Sequence, residues 1–110
     1  MWAMQLSERY RRRPGLPWRE EQDAVRDALA ALEAGCDASG EGTLLVVERG
    51  RITELNLLGG EIWKLCDGTR DVGAIVDELL PRFEVGRDEL ARDVGEFLAD
   101  LVARGWVVPA

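Results

Sequence analysis

A chain of 110 residues with 46% hydrophobic and 32% charged side chains has the composition of one small globular domain, not of a disordered or membrane-spanning polymer. At this size it builds one core but no deep enclosed site, which favours binding at a groove over chemistry in a cavity. Fourteen basic against 21 acidic residues leave a net charge of −7, and the absence of histidine removes imidazole acid–base chemistry and imidazole metal ligation.

Cys36 and Cys66 fall outside any CxxC spacing, and the amino end carries no apolar signal segment, so the expected compartment is reducing and cytoplasmic. No apolar run approaches the roughly 18 residues of a spanning helix, so a soluble protein with no membrane partner is expected.

Residues 1–15 read as a basic arm. Arg9, Arg11, Arg12 and Arg13, with Arg19 just beyond, face one acid, Glu8. Such a terminus is read first as solvated and mobile, second as a contact for nucleic acid, an acidic partner or the chain's own acidic body. Pro14, Gly15 and Pro17 close the arm, and residues 16–110 form the domain. A first strand is expected near Leu16 to Arg19. Residues 20–34 then place Ala24, Val25, Ala28, Leu29 and Leu32 at helical spacing, with Gly35 as a stop.

The run from Cys36 to Gly42 has turn composition, and Cys36 reads as an incidental free thiol. Residues 43–57 read as two strands around Arg49-Gly50, a weaker turn signal than Asn-Gly. After Gly59-Gly60, the residues Ile62, Trp63, Leu65 and Cys66 fit a two-turn helix stopped at Asp67-Gly68. Asp71 is placed to cap a second helix with the stripe Val72, Ile75, Val76, Leu79, Leu80 and Phe83, bent or ended by Pro81. A third helix from Arg87 to Arg104 turns Leu90, Val94, Phe97, Leu98, Leu101 and Val102 inward, and Gly105 ends it. Trp106, Val107 and Val108 follow as an extended tail. The class is therefore α+β, winged-helix-like, with amino-terminal strands followed by three helices and one extra helical insert.

A winged helix raises nucleic-acid binding through the Arg cluster as an alternative function. Against it, the last helix carries five acids to three arginines, a sign that phosphate repels. Asp67, Asp71, Asp93 and Asp100 do not converge on a metal site, and capping explains Asp67 and Asp71 better. Cys66 reads as a small core hydrophobe, and Asn56 as a helix cap or a residue that fixes the strand end. Trp2, Met4 and Trp106 are candidates for a self-association patch giving a homodimer, or equally for cover on a small core. The Arg51–Asn56 strand is the remaining candidate. At a sheet edge it would accept an extended peptide as a further strand, or else be guarded by Arg51 and Glu54 and bind nothing. Physical reasoning on the residues leaves that choice open.

Residues 55–107 carry a more specific signal: Leu55-Asn56 before the glycine pair, Ile62-Trp63, Leu65, Asp67-Gly68, Ile75, Leu79, Phe83, Asp93-Val94, Phe97-Leu98, Leu101 and Gly105. This pattern resembles the PqqD-like family of peptide chaperones, and LNLLGGEIWKLCDGTR is most similar to the GeoRSP-type branch associated with radical SAM and SPASM-domain maturases. The resemblance implies a non-catalytic module without cofactor or metal. It would bind the leader segment of a ribosomally made precursor peptide by strand addition and present it to such a maturase. It implies Arg51, Ile52, Thr53, Glu54 and Leu55 as the accepting strand, and Leu90, Asp93, Val94, Phe97 and Leu101 as the helix side of the site. Acids at Asp93, Glu96 and Asp100 suggest a partly basic leader or enzyme surface. The helix over residues 20–34 departs from the family pattern and is expected to pack outside the groove, or else to cover or extend the peptide site.

Overall fold

The computed structural model describes residues 6–35 and 42–110. In chain order the elements are β1 (Arg9–Arg12), β2 (Trp18–Glu20), α1 (Gln22–Glu33), β3 (Gly42–Glu48), β4 (Arg51–Asn56), α2 (Leu57–Leu65), β5 (Asp67–Asp71), α3 (Val72–Leu79), a 3₁₀ turn (Leu80–Arg82), α4 (Arg87–Ala103) and β6 (Val107–Pro109). The expected α+β class, with amino-terminal strands, an inserted helix and three later helices, is the observed one. The chain divides into two compact units, one from Gly15–Glu61 and one from Ile62–Ala110 together with the residues up to Pro14. Among the described residues no helix is long and apolar enough to cross a membrane.

In the unit Gly15–Glu61, three antiparallel strands run in the order β2-β3-β4. β3 is central because it alternates on one face the apolar Leu44 and Val46, which are buried with Leu55, Leu57 and Leu16. α1 packs against β3 and buries Ala28. The β3–β4 hairpin closes through Arg49 and Gly50, with φ of 50° and 78°, the paired left-handed residues that a two-residue turn of the favoured twist demands. Arg49 has a side chain where the backbone prefers glycine or asparagine. Arg49→Asn is therefore expected to raise stability by about 0.5–1 kcal/mol, seen as a rise of a few degrees in melting temperature by circular dichroism.

The glycine pair, placed by the sequence ahead of the helix, lies inside α2. A Cβ at Gly60 would come within 3.2 Å of Thr43 Oγ1 and 3.3 Å of Leu44 Cβ, so this glycine permits close approach of helix to strand. Thr43, where the β3–β4 register shifts, is buried with its hydroxyl 3.5 Å from the Leu55 carbonyl. The amide of Gly59 donates to Asn56 Oδ1 at 2.9 Å, which is the expected cap.

In the other unit β1 is the middle strand of an antiparallel sheet ordered β5-β1-β6. The expectation of a solvated basic arm is thus corrected for residues 9–12. They are tied in by ladder bonds to both neighbours, and two of the arginines serve helix ends. The Arg12 guanidinium donates to the Trp63 and Lys64 carbonyls, at 2.9 and 2.7 Å, and that of Arg13 to the Gly105 carbonyl at 3.2 Å. A cation at the carboxyl end of a helix meets both unsatisfied carbonyls and the negative end of the dipole. The DGTRD run, read as a helix stop at Asp67-Gly68 and a cap at Asp71, is β5, paired with β1.

Asp71 caps α3 by accepting the Ala74 amide at 2.8 Å, and two more first-turn amides, of Val72 and Gly73, donate to the Glu8 and Leu6 carbonyls. The helix ends before Pro81, as expected. α4 finishes with the Gly105 amide on the Val102 carbonyl and that of Trp106 on Leu101, both at 3.0 Å, with Gly105 at φ 73°. This is the double-bonded left-handed terminus that requires glycine. The core joins Ile62, Trp63, Cys66, Ile75, Val76, Leu79, Val94, Leu98 and Trp106. Trp63 and Trp106 meet edge to face at 6.2 Å, and the Arg104 guanidinium lies 5.0 Å from the Trp106 ring centre. Trp106 is 3% exposed, so it covers the core and is not part of a surface patch. Trp2 and Met4 lie outside the described residues, as does Cys36.

Candidate functional site

The accepting strand deduced from the resemblance, Arg51 to Leu55, lies within β4, at one edge of the β2-β3-β4 sheet. Its register follows from the turn. Two turn residues make Glu48 and Arg51 the closing hydrogen-bonded pair, and the partners Val46↔Thr53 and Leu44↔Leu55 continue it by twos. The opposite edge of β3 agrees, since Thr43 and Val47 bond to Glu21 and Pro17 beside β2. Arg51, Thr53 and Leu55 therefore spend their amides and carbonyls on β3. Ile52 and Glu54 present theirs outward, and no further strand pairs with β4 among the described residues.

The side chains divide the same way. Leu55 is buried and Thr53 half-buried on one face, while Ile52 and Glu54 stand exposed on the other. Ile52 is 65% exposed, a β-branched apolar residue at an edge where natural sheets usually place charge or proline. Glu54 supplies the charge. Its side chain lies across the α-carbon of Gly42, where a Cβ would be 2.5 Å from Oε2, so the missing side chain of Gly42 leaves the room it occupies.

The helix positions deduced with it fall in α4, in the other unit. Leu90, Val94 and Leu101 are 0–1% exposed and belong to the core, whereas Phe97 is half-buried and Asp93 exposed. Val102, expected inward, is 40% exposed. Glu89, Asp93, Glu96 and Asp100 repeat every three or four residues along α4 and are all exposed, so they share one acidic face. Asp100 is held by Arg104 at 3.0 Å.

Other chemistry-bearing residues have structural roles. Among the described residues no three or more cysteines and carboxylates gather to hold a metal. Asp67 accepts from the Thr69 hydroxyl at 2.6 Å and amide at 2.9 Å, and pairs with Arg70 at 2.8 Å. The Thr69 bonds first, then Arg70, hold its carboxyl below the usual range. Cys66 is fully buried and donates to the Ile62 carbonyl at 3.2 Å. Burial pushes its thiol to about 12 against an opposing Arg12 charge. Tyr10 is raised to about 12 by burial and by its bond to Glu8.

Both groups keep their protons in either state below about pH 9. Above that the unfolded chain ionises first, so stability is expected to fall as pH rises from about 9 to about 12. In a Cys36→Ser chain, Cys66 is expected to react with a thiol reagent at pH 8 about a hundredfold more slowly when folded than in urea. Equal rates would contradict its burial.

Comparison with known proteins gives the context. The model of the family described as coenzyme PQQ synthesis protein D (PqqD) matches residues 41–107. The chain is 48% identical over 50 residues to a PqqA binding protein of Rhodopseudomonas palustris, covering 46% of this chain and 49% of that protein. It is 39% identical over 70 residues to a PqqA binding protein of Pseudomonas entomophila, covering 64% of this chain and 75% of that protein. The chain thus spans about half the length of the first of these relatives. No solved structure matches it.

Proposed function

The chain belongs to the PqqD family, and from that premise we propose that it is a non-catalytic binder of a precursor peptide, taking the leader segment as an added strand along β4. One observation carries this reading. Ile52 is an exposed apolar residue on an edge strand, and the backbone groups of Ile52 and Glu54 point away from β3. An extended peptide gains affinity from such main-chain groups and selectivity from alternate side chains. The names of the relatives, PqqA binding proteins, support a peptide ligand over nucleic acid, and two arginines of the basic cluster are engaged with helix-end carbonyls.

Delivery to a radical SAM/SPASM maturase is the next step of the proposal. In it the bound leader holds the remainder of the precursor for an enzyme that supplies all the chemistry. The site residues are Arg51, Ile52, Thr53, Glu54 and Leu55 on the strand. On α4, in the other unit, Leu90, Val94 and Leu101 belong to the core.

The test is calorimetric titration of the full chain with the leader half of the small peptide encoded beside its gene. One-to-one binding with a submillimolar Kd is expected. Absence of binding by every leader fragment would contradict the reading.

A further inference from the structure

We infer that β4 selects its peptide by side chain, favouring an antiparallel segment with a basic residue two positions before an apolar one. The inference rests on the strand-addition reading and deepens it.

The outward backbone groups belong to Ile52 and Glu54, so an incoming antiparallel strand forms its hydrogen-bonded pairs opposite those two residues. Residues directly opposite share a face. The peptide side chains facing Glu54 and Ile52 are therefore two apart, on the exposed face of the sheet, and because the strand runs antiparallel the one facing Glu54 comes first. The residue between them opposes Thr53 and turns to the other face.

Chemistry assigns each position. Ile52 is 65% exposed, and an apolar partner removes that surface from water. Glu54 is exposed, and its carboxylate enters no ion pair or hydrogen bond among the described residues, unlike its acidic neighbours Glu20 and Glu48. A lysine or arginine opposite it makes a cross-strand pair of opposite charge, whereas an acid there makes a repulsive one. The remaining edge residues do not offset this choice. Arg51 lies on the opposite face with Thr53 and Leu55, and the Glu54 side chain stays on its own face, over Gly42.

The experiment uses the full ¹⁵N-labelled chain and blocked Thr/Ser decapeptides that carry one central triplet. The triplets are Lys-Thr-Val, Glu-Thr-Val, Lys-Thr-Ser and the reversed Val-Thr-Lys, and amide shifts report both Kd and place. Lys-Thr-Val is expected to bind about fivefold more tightly than each of the other three, with shifts centred on Ile52 and Glu54. In Glu54→Lys the preference between the Lys and Glu peptides is expected to invert. Equal Kd values for all four peptides, with shifts still at Ile52 and Glu54, would overturn the selectivity and leave strand addition standing. No shift at those two amides with any peptide at millimolar concentration would overturn both.

Discussion

Glu54→Pro is expected to leave the protein folded and to weaken leader binding about ten- to hundredfold, while Thr53→Pro is expected to damage the fold itself. The difference lies in the register. Proline removes a backbone donor. At Glu54 that donor faces away from β3, so its loss takes nothing from the existing ladder, and proline is tolerated on such an edge. The incoming strand loses a main-chain bond and meets the ring where it would dock, a cost of about 1–3 kcal/mol. At Thr53 the donor is spent on Val46 across the hairpin, and the same change breaks a bond beside a buried face. Circular dichroism and titration with the leader separate the two effects. If Glu54→Pro unfolds the chain and Thr53→Pro does not, the register assigned to β4 is wrong by one residue.

Trp63→Ala is expected to lower stability by about 3–5 kcal/mol. Trp63 has no exposed surface and meets Trp106 edge to face, and its carbonyl receives the Arg12 guanidinium. A small domain has roughly 5–15 kcal/mol in total, so the variant should melt some 15–30 °C lower or fail to fold at ambient temperature. Trp63→Phe, which keeps a ring against Trp106, should lose less than half as much. A change of under 1 kcal/mol in Trp63→Ala would show that the pair of tryptophans does not organise this unit.

Much of this was legible in the sequence wherever a local signal and the tertiary structure agree. The α4 stripe, the Asp71 and Asn56 caps, the Gly105 terminus and the Arg49-Gly50 turn all rest on chemistry within a few residues. Elements decided by distant neighbours were not legible. Arg9–Arg12 reads as solvated because its charges dominate the composition, yet the backbone between those charges pairs with β5 and β6 from the far end of the chain. The glycine pair reads as preceding the helix because glycine weakens helices. What calls for glycine at position 60 is the closeness of Thr43 and Leu44, and no local pattern announces that.

The candidate strand was legible from the hairpin and the resemblance together, but its outward residues were not. They follow from counting from the turn, which requires the turn to have two residues. On α4 the apolar stripe marked Leu90, Val94 and Leu101 equally as core and as site, and burial assigns them to the core. Phe97 is half-buried and Asp93 exposed.

The most direct test of strand addition is amide hydrogen exchange of the full chain, residue by residue, with and without the leader peptide encoded beside its gene. The amides of Ile52 and Glu54, which have no ladder partner among the described residues, should slow at least about tenfold on binding, while those of Arg51, Thr53 and Leu55 change little. If the leader binds and the Ile52 and Glu54 amides exchange as before, the peptide is held elsewhere and β4 is not the accepting strand.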